Sequence, residues 1–249
     1  MSKFTGRRER GSANRKRRGQ AGARLTILYE DDAVIALDKP AGLAAVPVKG
    51  LEMPSALGLL AAELKPRRQR ALVVHRIDRF TSGILLFAKT EADRDALVRQ
   101  FLQHTPVRQY LAVIRGHLGT AEGTLAHYFR REGMFQKLAA KTAPGAARAE
   151  LRYEVERSLR GASLVRVTLL TGLQNQIRAQ FAAIGHPVIG DRKYHPPEAE
   201  ERRIARVALH AAHLEFEHPR SRALISLECP PPSDFQSLVQ GLSPARRRP

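Results

Sequence analysis

Val73 to Thr90 reads VVHRIDRFTSGILLFAKT and sets one carboxylate, Asp78, between two guanidinium groups, Arg76 and Arg79. Opposite charge nearby favours the ionised form of an acid. Asp78 is therefore expected to be a carboxylate at neutral pH, available as a nucleophile or a base. Apolar residues lead into this charged knot, Thr81-Ser82-Gly83 makes a turn, and the apolar run Ile84 to Ala88 leads out. The pattern predicts strand, tight loop, strand. On residue chemistry alone, a surface hairpin with an ion pair at its tip is the better explanation of the stretch, because charged turns are common.

The elements that must position such a loop are legible around it. LTILYE (25–30) and AVIALDK (33–39) read as a hairpin about Glu30-Asp31-Asp32. Lys39-Pro40-Ala41-Gly42 ends the second strand. Pro54 to Leu64 reads as a short helix and Lys65 to Arg70 as a basic loop. Thr90, with Asp93 three residues on, is a plausible cap for a helix from Glu91 to about His104. Strands are expected at 110–114, 124–130, 148–156, 163–170, 209–216 and 224–229. Met134 to Ala147 reads as loop with a short strand near Lys137. Leu173 to Ile184 reads as a helix closed by Gly185, His195 to Arg203 as a charged loop, and a last helix capped by Ser233 runs to about Leu242. Strands joined by short turns outnumber βαβ crossovers, so the fold class is α+β with a largely antiparallel sheet.

The bulk numbers restrict the function. A chain of 249 residues with 43% hydrophobic content can build a substantial core. Forty-two lysines and arginines against 24 acids give a net charge of +18, which points to a polyanionic partner, RNA or DNA. Residues 1–24 carry Lys3, Arg7, Arg8, Arg10, Arg15, Lys16, Arg17, Arg18 and Arg24 with the single acid Glu9, and read as a disordered tail. Residues 243–249 read as a second basic tail, leaving one domain over 25–242. Cys229 is the only cysteine, which excludes an internal disulfide and a cysteine-based zinc site. His210 and His213 lie in a strand and are expected on opposite faces, so no metal is expected. There is no apolar run long enough for a membrane span and no apolar signal-peptide core, so a cytoplasmic location is expected.

HRIDRFTSGILLFAKT resembles the catalytic motif of RNA pseudouridine synthases of the RluA type. LDKPAGL (37–43), RQYLAVIRG (108–116), TGLQNQIRAQFAAIGHPVIGD (171–191) and LHAAHLEFEHP (209–219) match further family motifs in the same order. The resemblance implies the family's long bent, mainly antiparallel sheet and isomerisation of uridine to pseudouridine without cofactor or metal. The substrate it implies is structured RNA, ribosomal RNA first and tRNA second, and the protein is expected to act as a monomer. It assigns Asp78 as the catalytic carboxylate, Arg178 as the arginine that pairs with and orients it, and Tyr110 as the active-site tyrosine. It assigns Arg76 to the gap left when the target nucleotide is extruded from a helix. Arg79 is a second RNA-binding candidate, while Lys39 and Pro40 shape the pocket floor.

The third motif departs from the family's usual pattern. Leu173 stands where a cation is usual, and Asn175 and Gln180 stand where histidines are usual. A non-catalytic RNA-binding or ribosome-assembly factor on the same fold is the competing reading. A glycosidase would need two placed acids, and only one lies in a matched motif. A nucleotide-dependent enzyme lacks its glycine-rich loop.

Overall fold

The computed structural model describes residues 25–195 and 204–244. The expected N-terminal tail, most of the charged loop after His195 and residues 245–249 of the C-terminal tail lie outside them.

The N-terminal hairpin is β1 (Thr26–Glu30) and β2 (Val34–Lys39). Its turn is held by Asp31, whose carboxylate accepts from the backbone N–H groups of Ala33 and Val34. Helix α1 (Ala56–Leu64) follows, with the Ser55 side chain accepting from Gly58 N as its N-cap. The basic loop begins as a single 3-10 turn, Lys65–Arg67. Two-residue β3 (Leu72–Val73) and β4 (Ser82–Ala88) flank the charged knot. Helix α2 (Glu91–Leu102) is capped by Thr90, which accepts from Asp93 N as its sequence predicts.

Five strands of the second half follow in part: β5 (Val107–Arg115), β6 (Glu122–Glu132), β7 (Phe135–Leu138), β8 (Ala146–Leu159) and β9 (Ala162–Leu169). The short strand expected near Lys137 is β7. Helix α3 is Gln176–Ala183, three residues shorter at its start than its apolar spacing suggests. The reason is local: Gln176 Oε1 accepts from Leu173 N and Thr171 Oγ1, both at 2.9 Å, which ties 171–175 into a turn. Strands β10 (Leu209–Glu217) and β11 (Leu224–Glu228) precede α4 (Ser233–Leu242). Ser233 is the first helical residue and not the cap; extended Pro232 takes that position.

The strands form one sheet in the order β1-β2-β4-β10-β5-β9-β8-β6-β7, with β3 on β4 and β11 on β10. Every pairing is antiparallel except β10 with β4. The fold is therefore α+β with a long, mostly antiparallel sheet. Alternation along β2 and β4 sends Ile35, Leu37, Leu85 and Phe87 to the larger core and Val34, Ala36, Ile84 and Leu86 to a second one on the opposite face, where Leu97 and Phe101 of α2 pack. At the parallel joint a side chain on Gly83 would place its Cβ 2.2 Å from Ala211 O, so only glycine lets these strands meet. Among the described residues, no helix is long and apolar enough to cross a membrane.

Candidate active site

Asp78 lies on the loop between β3 and β4, and that loop is fastened at several points. Thr81 N donates to Asp78 O at 3.1 Å, and Gly42 N donates to Arg79 O at 2.8 Å. Lys39, fully buried, donates from Nζ to Pro40 O, Leu43 O and Arg79 O at 2.9, 2.8 and 3.1 Å. One ammonium thus ties the first matched motif to the charged knot. Burial pulls the Lys39 amine down to about 7, with Asp78 opposing the shift. At the loop's start, His75 Nε2 accepts from Leu86 N at 3.1 Å and its ring stacks on Phe101 at 4.5 Å. Burial, with Arg108 adding to it, holds the imidazole down near 3, which fits its role as an acceptor.

The flanking arginines do not hold Asp78. Arg76 is exposed, and Arg79 turns away to donate from Nε to Gly42 O at 2.8 Å, its guanidinium stacked 5.1 Å from the Phe80 ring centre. The partner is Arg178 of α3, one hundred residues on, whose Nη1 donates to Asp78 Oδ2 at 3.2 Å. The turn before α3 aims that helix. Asn175 adopts a left-handed φ of 56°, and its Oδ1 accepts from the same Nη1 at 2.9 Å.

The rest of the Arg178 fork is taken by Asp191. Arg178 Nε and Nη2 donate to Asp191 Oδ2 and Oδ1 at 2.8 and 2.6 Å. Burial alone would lower the guanidinium; Asp191 and then Asp78 outweigh it and hold Arg178 above its ordinary value. Asp191 Oδ1 also accepts from Lys193 N and Tyr194 N. The Tyr194 ring lies 5.6 Å from the Arg178 guanidinium and its hydroxyl accepts from Gln136 N at 3.0 Å. Burial raises the Tyr194 phenol. Asp191 and Tyr194 were not among the residues singled out from the sequence. The only sequence signal for Asp191 is its place at the end of the third matched stretch.

Tyr110 sits on β5 and is nine-tenths buried. Burial pushes its phenol up to about 12, with Arg108 opposing the shift and Asp78 adding to it. Asp78, Tyr110 and Arg178 thus share one electrostatic neighbourhood. The three departures in the third motif have structural partners. Leu173 packs on the small cluster of Phe129, Ala149 and Ala179, Asn175 holds Arg178, and Gln180 donates to Leu125 O and Ala149 O. Among the described residues, no three histidine, cysteine or acidic side chains are grouped as metal ligands would be.

The fold is that of a pseudouridine synthase. Two human structures named RNA Pseudouridylate Synthase Domain Containing 4 and 1 superpose with TM-scores of 0.73 and 0.68 at 20% and 24% identity, covering 87% and 91% of this chain and 92% and 96% of theirs. Residues 33–183 match the family model for RNA pseudouridylate synthase. The chain belongs to that family, in its RluA-type branch. It is 36% identical over 226 residues to ribosomal large subunit pseudouridine synthase D of Nitrosomonas europaea, an alignment spanning 88% of this chain but 65% of that relative. It is 32% identical over 228 residues to the dual-specificity RNA pseudouridine synthase RluA of Vibrio cholerae, covering 90% of this chain and 91% of the other.

Proposed function

We propose that this chain isomerises uridine to pseudouridine in structured RNA, with ribosomal RNA as the first substrate class and tRNA as the second. The observation that carries the reading is the Asp78–Arg178 ion pair, joined from two distant segments at 3.2 Å. The net charge of +18 suits a polyanionic substrate, and several similar proteins are named for the large ribosomal subunit.

The reaction breaks N1–C1′ and forms C5–C1′; the C5 hydrogen leaves as a proton and N1 ends with one. No electrons are gained or lost, so no redox cofactor is required. Asp78 is the carboxylate that adds to an electrophilic carbon and leaves again. Arg178 keeps it aimed, because its own orientation is fixed by Asp191 and Asn175. Tyr110 is protonated at neutral pH and offers a flat face to the uracil and a hydroxyl for proton transfer. Arg76, exposed on the loop, fills the gap left by the flipped nucleotide, and Arg79 contacts the RNA beside it. The protein works as a monomer in the cytoplasm, and the nine cations of residues 1–24 add to its affinity for RNA phosphates.

The test is Asp78→Asn. The amide keeps the shape and loses the nucleophile. RNA binding is retained, while tritium release from C5-labelled uridine in transcribed large-subunit ribosomal RNA stops. Release at the wild-type rate removes Asp78 from this role.

A further inference from the structure

Arg108 is a buried cation without a counter-ion among the described residues. It lies on β5 two residues before Tyr110, so both side chains project from the same face of the strand. Arg108 is 8% exposed. Its Nη2 donates to Thr171 O at 3.3 Å, and its guanidinium lies 5.9 Å from the ring centre of Phe101. Nε has no hydrogen-bond partner. Among the described residues no carboxylate pairs with it, whereas Arg178, the other buried arginine of the site, has two. Burial lowers the Arg108 guanidinium, and Tyr110 is the only group that offsets the shift.

An unpaired buried charge is among the costlier features a folded protein can carry. The surroundings keep it there by construction. Gly172 leaves room for it, since a Cβ at that position would sit 3.0 Å from Arg108 Nη1. The stacked pair of His75 and Phe101 flanks it, and His75, held neutral, supplies no charge of either sign. The guanidinium therefore lies where the start of the Asp78 loop, α2 and the turn before α3 meet, next to the tyrosine of the site. A phosphate is the anion an RNA brings to such a place, and a guanidinium fork suits its oxygens.

We infer that Arg108 is a substrate-binding residue whose missing counter-ion is a backbone phosphate of the RNA at the target nucleotide. This rests on the proposed RNA-modifying function and adds to it a buried binding residue, distinct from the exposed Arg76 and Arg79. The empty protein is destabilised by the unpaired cation, and bound RNA neutralises it.

The experiment compares the full chain with Arg108→Met and Arg108→Lys. Each is melted without RNA, and each is titrated with an oligouridylate about ten nucleotides long over a series of salt concentrations. Neutralising one phosphate of a single strand adds about 0.7 to the slope of log affinity against log salt. Arg108→Met is expected to melt no lower than wild type and to lose about that much slope; Arg108→Lys is expected to keep it. A slope for Arg108→Met equal to wild type overturns the assignment, whatever its melting temperature. If Arg108→Met fails to fold, loss of the slope in Arg108→Lys overturns it instead. The parent reading is judged separately, by tritium release from ribosomal RNA with the wild-type chain. Absent release with the expected slopes removes the reaction and leaves the phosphate contact, and release with unchanged slopes does the opposite.

Discussion

The guanidinium of Arg178 is gripped by Asp191 at two points, 2.8 and 2.6 Å, while Asp78 receives only one corner of it at 3.2 Å. The tighter pair is with the carboxylate that is fully buried, and the looser one with the partly exposed carboxylate proposed to react. Asp191 thus supplies the anchor and leaves Asp78 room to move.

Removing that anchor should cost stability and rate together. Breaking a buried pair from one side typically costs about 3–5 kcal/mol. Asp191→Asn keeps one acceptor for the fork and for Lys193 N and Tyr194 N, so it should lose less than Asp191→Ala. Urea melts and single-turnover rates at saturating RNA give both quantities. Unchanged stability in Asp191→Ala would contradict the anchoring role.

Arg178→Lys separates geometry from charge. Lysine is a point donor on a flexible stem, not a fork. The variant should fold and bind RNA yet turn over slowly, and Arg178→Ala should be slower still. Arg178 is only 9% exposed and already holds two carboxylates, so it has little to offer a phosphate. A normal saturated rate with weakened binding would show the reverse.

Lys39 predicts a pH dependence. Its folded value of about 7 lies below the ordinary 10.5, so between these pH values the unfolded chain holds a proton that the folded one does not. The unfolded state binds more protons, and stability therefore rises with pH across this window. The gain is complete above 10.5 and is lost as pH falls through 7. Denaturant melts at pH 6.5 and 9 should show a larger rise for wild type than for Lys39→Met. Parallel rises would mean that Lys39 titrates normally.

Deleting residues 1–24 should weaken binding to all RNAs alike and flatten its salt dependence, because their nine cations displace counterions without reading sequence. Affinity and salt slope measured on several unrelated RNAs decide it. A truncated chain that modified a different uridine would make the tail a specificity element.

Local signals in the sequence carried well. Thr90 caps α2, the Glu30-Asp31-Asp32 turn closes the first hairpin, and the short strand near Lys137 exists. What failed was decided by side chains folding back or by distant chain. Nothing in the apolar spacing of 173–184 reveals that Gln176 would tie Leu173 into a turn. The adjacency of Arg76 and Arg79 to Asp78 suggested the wrong partners, because neighbours on an extended loop point apart. The pairing of Asp78 with Arg178 came from family resemblance, and Asp191 gave no signal of its own: a lone acid after Gly190 is unremarkable until the fold brings the fork to it.

The parallel joint at Gly83 and Ala211 also bears on when the protein becomes competent. In the sheet, β10 alone links the β1-β2-β4 group, which leads to Asp78, with the β5-β9 group, which carries Tyr110 and stands beside α3. That strand follows both groups in the sequence. A polypeptide is made from its N-terminus, so during synthesis the carboxylate and its guanidinium belong to two unjoined sheets. β10 acts as a keystone: the two groups that bring Asp78 and Arg178 together are joined through the sheet only after that strand has been made.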